Sequence, residues 1–188
     1  MILFFGPPGS GKSVQGKLLV QRNGWQWLST GELFRATKNA EVLKRLATGE
    51  LMDDALTNQV LEEALGGLRD AADLVLDGYP RNTRQAQWLT DHLAAFKRKI
   101  DTIVVFRVPE EELVRRQSGR GRDEDTPDVI KRRLQIYREQ TQPVIDFYRN
   151  RGVPVREIDG EGPVDVVHAR IQAVVAPQRA AEQEEVQP

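Results

Sequence analysis

The chain alternates short apolar runs with longer segments in which apolar residues recur every three or four positions. The apolar runs predict five strands, at residues 2–5, 25–28, 73–76, 102–108 and 153–158. The periodic segments predict helices at 12–22, 31–36, 41–48, 53–65, 83–95, 110–117, 127–150 and 164–175. Because strands and helices alternate, we predict an α/β fold with a parallel sheet of about five strands, covered by helices on both faces.

Two segments are predicted to be insertions into this α/β core. Residues 31–65 carry several helical patterns between two strands, which is more than a simple crossover needs. Residues 117–125 have no apolar periodicity and contain two glycines and two arginines, which is typical of a mobile loop. Pro143 is expected to bend the long helix at 127–150. The Glu-, Gln- and Ala-rich residues 176–188 are expected to form a flexible tail after a single domain at 1–175.

Composition narrows the class of protein. A length of 188 residues suits one domain, and the net charge of −1 argues against a dedicated nucleic-acid binder. The chain has no cysteine, so it has no disulfide and no thiolate zinc site. No apolar stretch is long enough to cross a bilayer, and the first strand begins at once, so we expect a cytoplasmic monomer without a membrane or nucleic-acid partner.

Residues 6–13 read Gly-Pro-Pro-Gly-Ser-Gly-Lys-Ser, which is the spacing of a phosphate-binding loop (P-loop) placed between a strand and a helix. Backbone N–H groups and the helix dipole converge on one point in such a turn, so the motif predicts a polyphosphate ligand. Lys12 is expected over the β- and γ-phosphates, and the Ser13 hydroxyl is expected to face Mg²⁺. The alternative is a strand-to-helix turn that is merely rich in glycine.

Other charged residues lie where they suit a second anion. Asp77 follows an apolar strand and is a candidate for holding Mg²⁺ through water, although Asp-Gly is also an ordinary turn sequence. Arg120 and Arg122 lie in the glycine-rich loop, which can close and bring them to phosphoryl oxygens. The acidic residues Asp123, Glu124 and Asp125 are expected to pair with arginines when no ligand is bound. Three further arginines are expected on solvated helix faces: Arg115, Arg132 and Arg138. His92 and His168 are expected at the surface.

Together these residues resemble the nucleoside-monophosphate kinase family, most closely the short-lid adenylate kinases. The matching segments, in the family's order, are the P-loop with Gln15, residues 28–35 (Leu-Ser-Thr-Gly-Glu-Leu-Phe-Arg), residues 76–81 (Leu-Asp-Gly-Tyr-Pro-Arg) with Gln85 and Ala86, residues 118–120 (Ser-Gly-Arg), residues 130–134 (Ile-Lys-Arg-Arg-Leu), Tyr137, and residues 143–145 (Pro-Val-Ile). The resemblance implies a P-loop NTPase-type three-layer fold, with 31–65 as an insertion that binds the monophosphate and 117–125 as a short lid.

The resemblance also implies a reaction and a set of site residues. The reaction is Mg²⁺-dependent transfer of a phosphoryl group between ATP and AMP. The ATP site would comprise Gly6, Gly9, Ser10, Gly11, Lys12, Ser13, Val14, Arg116, Arg120 and Gly160. The AMP site would comprise Thr30, Gly31, Arg35, Gly78, Arg81, Gln85, Arg122 and Arg133, with Gln85 reading the adenine. The catalytic cations would be Lys12, Arg81, Arg116, Arg120, Arg122 and Arg133, and Ser13 and Asp77 would face the metal.

Some features depart from the usual family pattern. Ser13-Val14 stands where Gly-Thr commonly follows the P-loop lysine, and Asn82 is also found in the pyrimidine-specific branch. A UMP/CMP-type kinase is therefore the first alternative function, and a P-loop ATPase switch with a lapsed acceptor site is the second. Thr30 together with Gln85 favours AMP.

Overall fold

The computed structural model describes residues 1–68 and 73–185, with side chains described up to residue 175. Five strands form one sheet: β1 (Ile2–Phe5), β2 (Gln26–Ser29), β3 (Leu74–Asp77), β4 (Thr102–Arg107) and β5 (Val155–Asp159). The order across the sheet is β2-β3-β1-β4-β5, and every neighbouring pair is parallel. The predicted parallel five-stranded sheet is therefore confirmed.

Helices connect and cover the strands in the described part of the chain. They are α1 (Lys12–Asn23), α2 (Thr30–Ala36), α3 (Ala40–Ala47), α4 (Asp54–Gly66), α5 (Thr83–His92), α6 (Glu110–Ser118), α7 (Pro127–Ile136), α8 (Gln142–Arg149) and α9 (Val164–Glu185). Alternate residues of β1 point to opposite faces of the sheet, so that Leu3 packs in one buried cluster and Phe4 in another. The first cluster includes residues of α5 and α8, and the second includes residues of α1 and α9. The fold thus has three layers.

Strand order determines where a ligand can bind. The connection after β1 runs toward β2 on one side of the sheet, and the connection after its neighbour β4 runs toward β5 on the other side, so the connections after these two strands diverge. In open parallel sheets the crevice at such a switch point, beyond the carboxyl ends of the strands, is the usual ligand site. The P-loop follows β1 at this edge, and Asp77 ends β3 beside it.

The segment between β2 and β3 has a small core of its own. Phe34, Val42 and Met52, from α2, α3 and the segment before α4, form a separate buried cluster. Asn39 and Asp53 cap α3 and α4, because each side chain accepts hydrogen bonds from two backbone N–H groups of the following helix. This local packing and capping explain why residues 31–65 fold as a helical unit beside the sheet.

Three predicted helices differ in the structure, and the one predicted at 83–95 ends at His92. The continuous helix predicted at 127–150 is divided into α7 and α8 by a wider π-helical turn, Tyr137–Thr141. Pro143 lacks an N–H and crowds the preceding turn, so the chain widens there rather than simply bending. Helix α9 continues to Glu185 instead of ending at 175, because alanine, glutamine and glutamate are strong helix formers even without an apolar face. Residues 186–188 of the expected tail lie outside the described part, and its flexibility stays a prediction.

The prediction that His168 lies at the surface is wrong. Helix α9 packs against α1, and His168 is 4% exposed, with Nδ1 3.1 Å from Oε1 of Gln15. Burial lowers the pKa of His168, so the neutral imidazole is favoured. His92 is half-buried and stacks on Trp88. The contact of α9 with α1 is not visible in the sequence pattern of either helix alone.

Candidate active site

The P-loop joins β1 to α1 through a backbone that depends on glycine. Gly9 and Gly11 have φ angles of +87° and +96°, a region that other residues rarely adopt. A Cβ on Gly9 would lie 2.9 Å from the carbonyl oxygen of Leu113, so the loop also packs too closely for a side chain there. Gly11 is the N-cap of α1 and cannot cap it with a side chain. The first N–H groups of α1 are therefore available to an anion.

Lys12 folds back over the loop. Its ammonium donates to the carbonyl oxygens of Gly6 and Pro7, at 2.7 and 3.0 Å, and to the hydroxyl of Ser10 at 3.2 Å. Burial lowers the pKa of Lys12 from 10.5 to about 8, and the nearby charges of Arg81 and Arg120 add to this effect against the opposing charge of Asp77. A negatively charged ligand would stabilise the charged form of this lysine.

This pKa leads to a prediction about ATP binding. A bound triphosphate should raise the pKa of Lys12 above about 8, so binding near pH 9 should take up close to one proton at this site. The affinity for ATP should then fall as the pH rises through 8, because the free protein loses the charge that the bound state needs. Titration calorimetry in two buffers of different ionisation enthalpy measures the uptake. Adenosine, which has no phosphates, is the control ligand, and an equal uptake with adenosine would contradict the assignment.

Ser13 and Asp77 meet beneath the P-loop. The Ser13 hydroxyl donates to Oδ2 of Asp77 at 2.9 Å, and this bond joins the first turn of α1 to the end of β3. Asp77 is 3% exposed. Buried carboxylates attract cations, so the pair places a hydroxyl and a carboxylate beside the expected phosphate position.

A second set of polar groups lies at the ends of β2 and β3. The carbonyl oxygen of Gly78 accepts hydrogen bonds from the Thr30 hydroxyl at 2.8 Å and from Nε of Arg81 at 2.7 Å. A Cβ on Gly78 would come within 2.9 Å of the Thr30 hydroxyl, which explains the glycine. Burial lowers the pKa of Arg81. Gln85 is 2% exposed, and its Oε1 accepts from the backbone N–H of Arg81 at 2.8 Å.

Acidic residues hold three of the arginines. Asp125 lies between Arg120 and Arg133, and its Oδ1 accepts from Arg120 at 2.8 Å and from Arg133 at 2.6 Å. Burial acts to raise the pKa of Asp125, but these hydrogen bonds and charges hold it below the usual value. Arg116 donates to Glu112 at 2.6 Å and to the carbonyl oxygen of Gly160 at 3.1 Å. The expected pairing of loop carboxylates with arginines is confirmed for Asp125.

Two further arginines lie near each other without such partners. Within residues 1–68 and 73–175, whose side chains are described, neither Arg35 nor Arg122 has an ion pair or a side-chain hydrogen bond. Burial, followed by the charge of Arg122, lowers the pKa of Arg35 to about 10. Burial and the charge of Arg120 lower the pKa of Arg122. The charge of Glu124 opposes both shifts, but Glu124 pairs with Arg133 and forms no ion pair with Arg35 or Arg122. Two partly buried guanidinium groups without a paired carboxylate form a site for an anion.

All of the candidate residues line one cavity of about 720 Å³. Its wall includes the P-loop, Asp77, Gly160, the Thr30 and Arg81 side of the sheet edge, and the arginines of α6, α7 and the loop between them. The cavity is within the usual size range of small-molecule sites. The structure thus brings together every residue that the sequence analysis assigned to the ATP, AMP and metal sites.

Comparison with known proteins agrees with this arrangement. The family model described as adenylate kinase matches residues 4–153. Proteins named adenylate kinase from Mycolicibacterium vanbaalenii, Mycolicibacterium smegmatis and Mycobacterium ulcerans are 41%, 38% and 39% identical to this chain. Each match covers 90% of this chain and 95% of the relative. The chain belongs to the adenylate kinase family.

Some contacts of this adenylate kinase family member were not found from the sequence. Asp54 accepts from the Gln85 amide at 2.9 Å, and the Thr141 hydroxyl donates to the carbonyl oxygen of Arg81 at 2.8 Å. Both are long-range contacts without a local signal. The Glu112–Arg116 pair has the i, i+4 spacing of helical ion pairs, which was a usable signal.

Two further features of the described residues concern metals and membranes. In the described part of the chain, no group of three or more His, Cys, Asp or Glu side chains is arranged to hold a metal ion. No helix within the described ranges combines the length and apolarity that a bilayer crossing requires.

Proposed function

We propose that this chain catalyses the reversible transfer of the terminal phosphoryl group of Mg-ATP to AMP, which yields two molecules of ADP. The observation that carries the proposal is one cavity that combines a P-loop with a second cationic pocket, in a member of the adenylate kinase family. A single-nucleotide ATPase has no need of the second pocket. The two nucleotides would meet where Lys12 and the arginines converge.

On the ATP side, the phosphates would replace the internal contacts of the P-loop. Lys12 would exchange the carbonyl oxygens of Gly6 and Pro7 for phosphate oxygens, which are stronger acceptors. The residues proposed to bind ATP are Gly6, Gly9, Ser10, Gly11, Lys12, Ser13, Val14, Arg116, Arg120 and Gly160. Arg116 is held by Gly160, so the same contact links a cation to the backbone proposed to meet the adenine.

On the AMP side, the unpaired guanidinium groups would bind the α-phosphate. Arg35 and Arg122 are charged and partly buried, so a phosphate between them would relieve their mutual repulsion. The residues proposed to bind AMP are Thr30, Gly31, Arg35, Gly78, Arg81, Gln85, Arg122 and Arg133. Gln85 would hydrogen-bond the adenine edge.

The acceptor oxygen needs no protein base. A phosphate monoester has a second pKa of about 6, so it is already largely deprotonated at neutral pH. Catalysis then consists of aligning the two nucleotides and stabilising the charge of the transferring group. The proposed catalytic cations are Lys12, Arg81, Arg116, Arg120, Arg122 and Arg133. Arg120 and Arg133 would turn from Asp125 to the phosphoryl oxygens when both substrates are bound.

The Ser13–Asp77 pair fits a magnesium ion. Its hydroxyl and carboxylate are oxygen donors, and Mg²⁺ usually binds through one or two such groups plus phosphates and waters. Bound with ATP, the ion would neutralise charge on the β- and γ-phosphates. We propose Ser13 as a direct ligand and Asp77 as a ligand through water. No zinc is proposed.

Ser13→Ala should raise the Mg²⁺ concentration needed for half-maximal activity about tenfold, because it removes an oxygen beside the metal and frees Asp77. Activity measured across a Mg²⁺ titration at saturating ATP checks this. ATP binding in excess chelator should stay close to that of the unaltered chain. An unchanged Mg²⁺ dependence would contradict the assignment.

Water would compete as an acceptor, so we propose that two segments close before transfer. The insertion at 31–65 would close over AMP, and the lid at 117–125 would close over ATP, both attached to the single domain at 1–175. Hydrogen exchange in both segments should slow when a bisubstrate dinucleotide binds. Unchanged exchange in both would contradict closure.

A UMP/CMP-type kinase is the alternative, and Thr30 and Gln85 in the second pocket favour AMP over it. Diphosphate formation with Mg-ATP and each of AMP, CMP, UMP and GMP tests this directly. AMP should give the highest kcat/KM, and a preference for CMP would overturn the substrate assignment.

We further propose a cytoplasmic location and an active monomer, the latter because one cavity of this chain contains both the P-loop and the second cationic pocket. The net charge of −1 offers no support for a nucleic-acid or membrane partner. Light scattering should give the mass of one chain, and a stable dimer would contradict this part of the proposal.

A further inference from the structure

Asp54 lies at a point where the helical insertion contacts the first turn of α5. It is the first residue of α4, and its Oδ1 accepts from the Gln85 amide at 2.9 Å and from the Asn82 amide at 2.8 Å. Its other oxygen, Oδ2, pairs with the exposed Arg84 at 2.8 Å. One carboxylate thus ties the insertion to the side chain proposed to read the nucleobase.

The two ends of the Gln85 amide have partners that cannot exchange. Oε1 accepts from the backbone N–H of Arg81, which can only donate, and Nε2 donates to the carboxylate of Asp54, which can only accept. A flipped amide would place two donors together at Arg81 and two acceptors together at Asp54. Gln85 is 2% exposed, so water could not relieve that mismatch. The orientation of the amide is therefore determined from both ends.

A fixed amide selects among nucleobases by their hydrogen-bonding order. Gln85 retains one free donor on Nε2 and one free acceptor site on Oε1, and it lies on the wall of the cavity. Adenine offers the complementary acceptor N1 and amino donor, and cytosine offers the same pair. Guanine and uracil offer an N–H and a carbonyl oxygen in the reverse order. They could pair with Gln85 only if the amide turned over.

We infer that Asp54 is a specificity-determining positioning residue, which locks the Gln85 amide in the orientation that accepts adenine and rejects guanine and uracil. The inference rests on the proposed function, in which Gln85 meets the base of the monophosphate. Asp54 itself need not touch the substrate. Its effect should appear in the choice among monophosphates rather than in the handling of ATP.

The test is kcat/KM for AMP, GMP, CMP and UMP at saturating Mg-ATP. Asp54→Asn has the same shape but can donate as well as accept, so the amide of Gln85 loses one of its two constraints. The variant should lower the AMP:GMP and AMP:UMP ratios about 10- to 100-fold, the worth of a hydrogen bond to a charged group, whereas the AMP:CMP ratio should change much less. KM for ATP should not change.

Arg84→Ala is the matched control. Like Asp54→Asn, it removes the ion pair between Arg84 and Asp54. It leaves the hydrogen bond from Gln85 to Asp54 intact, so all selectivity ratios should be retained. Asp54→Ser, whose hydroxyl can also donate or accept, is the second variant if the asparagine variant does not fold.

The outcomes separate this inference from the proposed function. An equal loss for all four monophosphates in Asp54→Asn, or unchanged ratios, would overturn the inference. Gln85→Leu tests the assignment of Gln85 to the nucleobase, because it should abolish most of the preference for AMP over GMP and UMP. If Gln85→Leu kept that preference, Gln85 would not read the base; if the unaltered chain did not phosphorylate AMP, the proposed function itself would fail.

Discussion

Lys12→Met is expected to lower kcat about 10³-fold, the upper range for removing one group that stabilises charge in a transition state. Methionine retains the length of the side chain but has no charge to place on the transferring phosphoryl group. In the free protein, Lys12 contacts mainly loop carbonyl oxygens, so its loss should affect turnover far more than folding. Coupled measurement of ADP formation from Mg-ATP and AMP checks this.

Lys17→Met is the matched control for this variant. Lys17 is on the same helix, but its side chain is 61% exposed and pairs with Glu32 on the surface, where ion pairs contribute little. Its activity should remain within about twofold of the unaltered chain. If both lysine variants lost activity equally, or if Lys12→Met retained full turnover, Lys12 would not have the role proposed here.

Arg122→Ala is expected to lower kcat/KM for AMP about 10³-fold, the lower end of the range for an arginine that acts on a transferring phosphoryl group. The reason is that Arg122 lines the same cavity as Arg35, acts on it electrostatically, and has no ion pair in the described part of the chain. The folded protein already includes the free-energy cost of partly burying the Arg122 charge. A bound phosphate would therefore form an ion pair with Arg122 without a further desolvation cost for the guanidinium group. Thermal stability should change little, because removing Arg122 relieves repulsion with Arg35 and Arg120 but also removes attraction to Glu124 and Asp125.

Arg132→Ala provides the comparison for Arg122. Arg132 is half exposed and pairs with Glu50 across the surface. Its removal should leave kcat/KM for AMP nearly unchanged. A normal kcat/KM in Arg122→Ala would show that the phosphate of AMP binds elsewhere, and a drop in stability would show that Arg122 has a structural partner.

Much of the fold follows from local patterns in the sequence. The predicted strands at 2–5 and 102–108 correspond to β1 and β4, because a buried parallel strand reads as an uninterrupted apolar run. The P-loop was visible for a similar reason. Its glycines, Lys12 and Ser13 are neighbours in the chain, so their spacing alone describes the turn.

The features that the sequence did not reveal depend on contacts between distant segments. Asp54 and Gln85 are 31 positions apart, and nothing at either residue shows that the insertion folds against the first turn of α5. His168 pairs with Gln15 across 153 positions, so its burial depends on how α9 packs against α1. Pro143 signalled an interruption, but the form of that interruption depended on the packing around Tyr137–Thr141.

The arrangement of the site residues could be predicted from the sequence only in part. Their convergence on one cavity follows from the parallel sheet, since the carboxyl ends of β1, β2 and β3 meet at one edge. Which arginines are free could not be read from the sequence, because Arg120 and Arg122 stand in the same loop. Only the structure shows that Asp125 holds Arg120 while Arg122 remains unpaired.

The central claim is that one cavity holds two nucleotides end to end. The most direct measurement is a calorimetric titration of AMP into the chain already saturated with a non-hydrolysable ATP analogue and Mg²⁺. The account predicts one saturable AMP site per chain under these conditions. A chain that binds the ATP analogue but shows no saturable site for AMP, or for any other 5′-monophosphate, would contradict it.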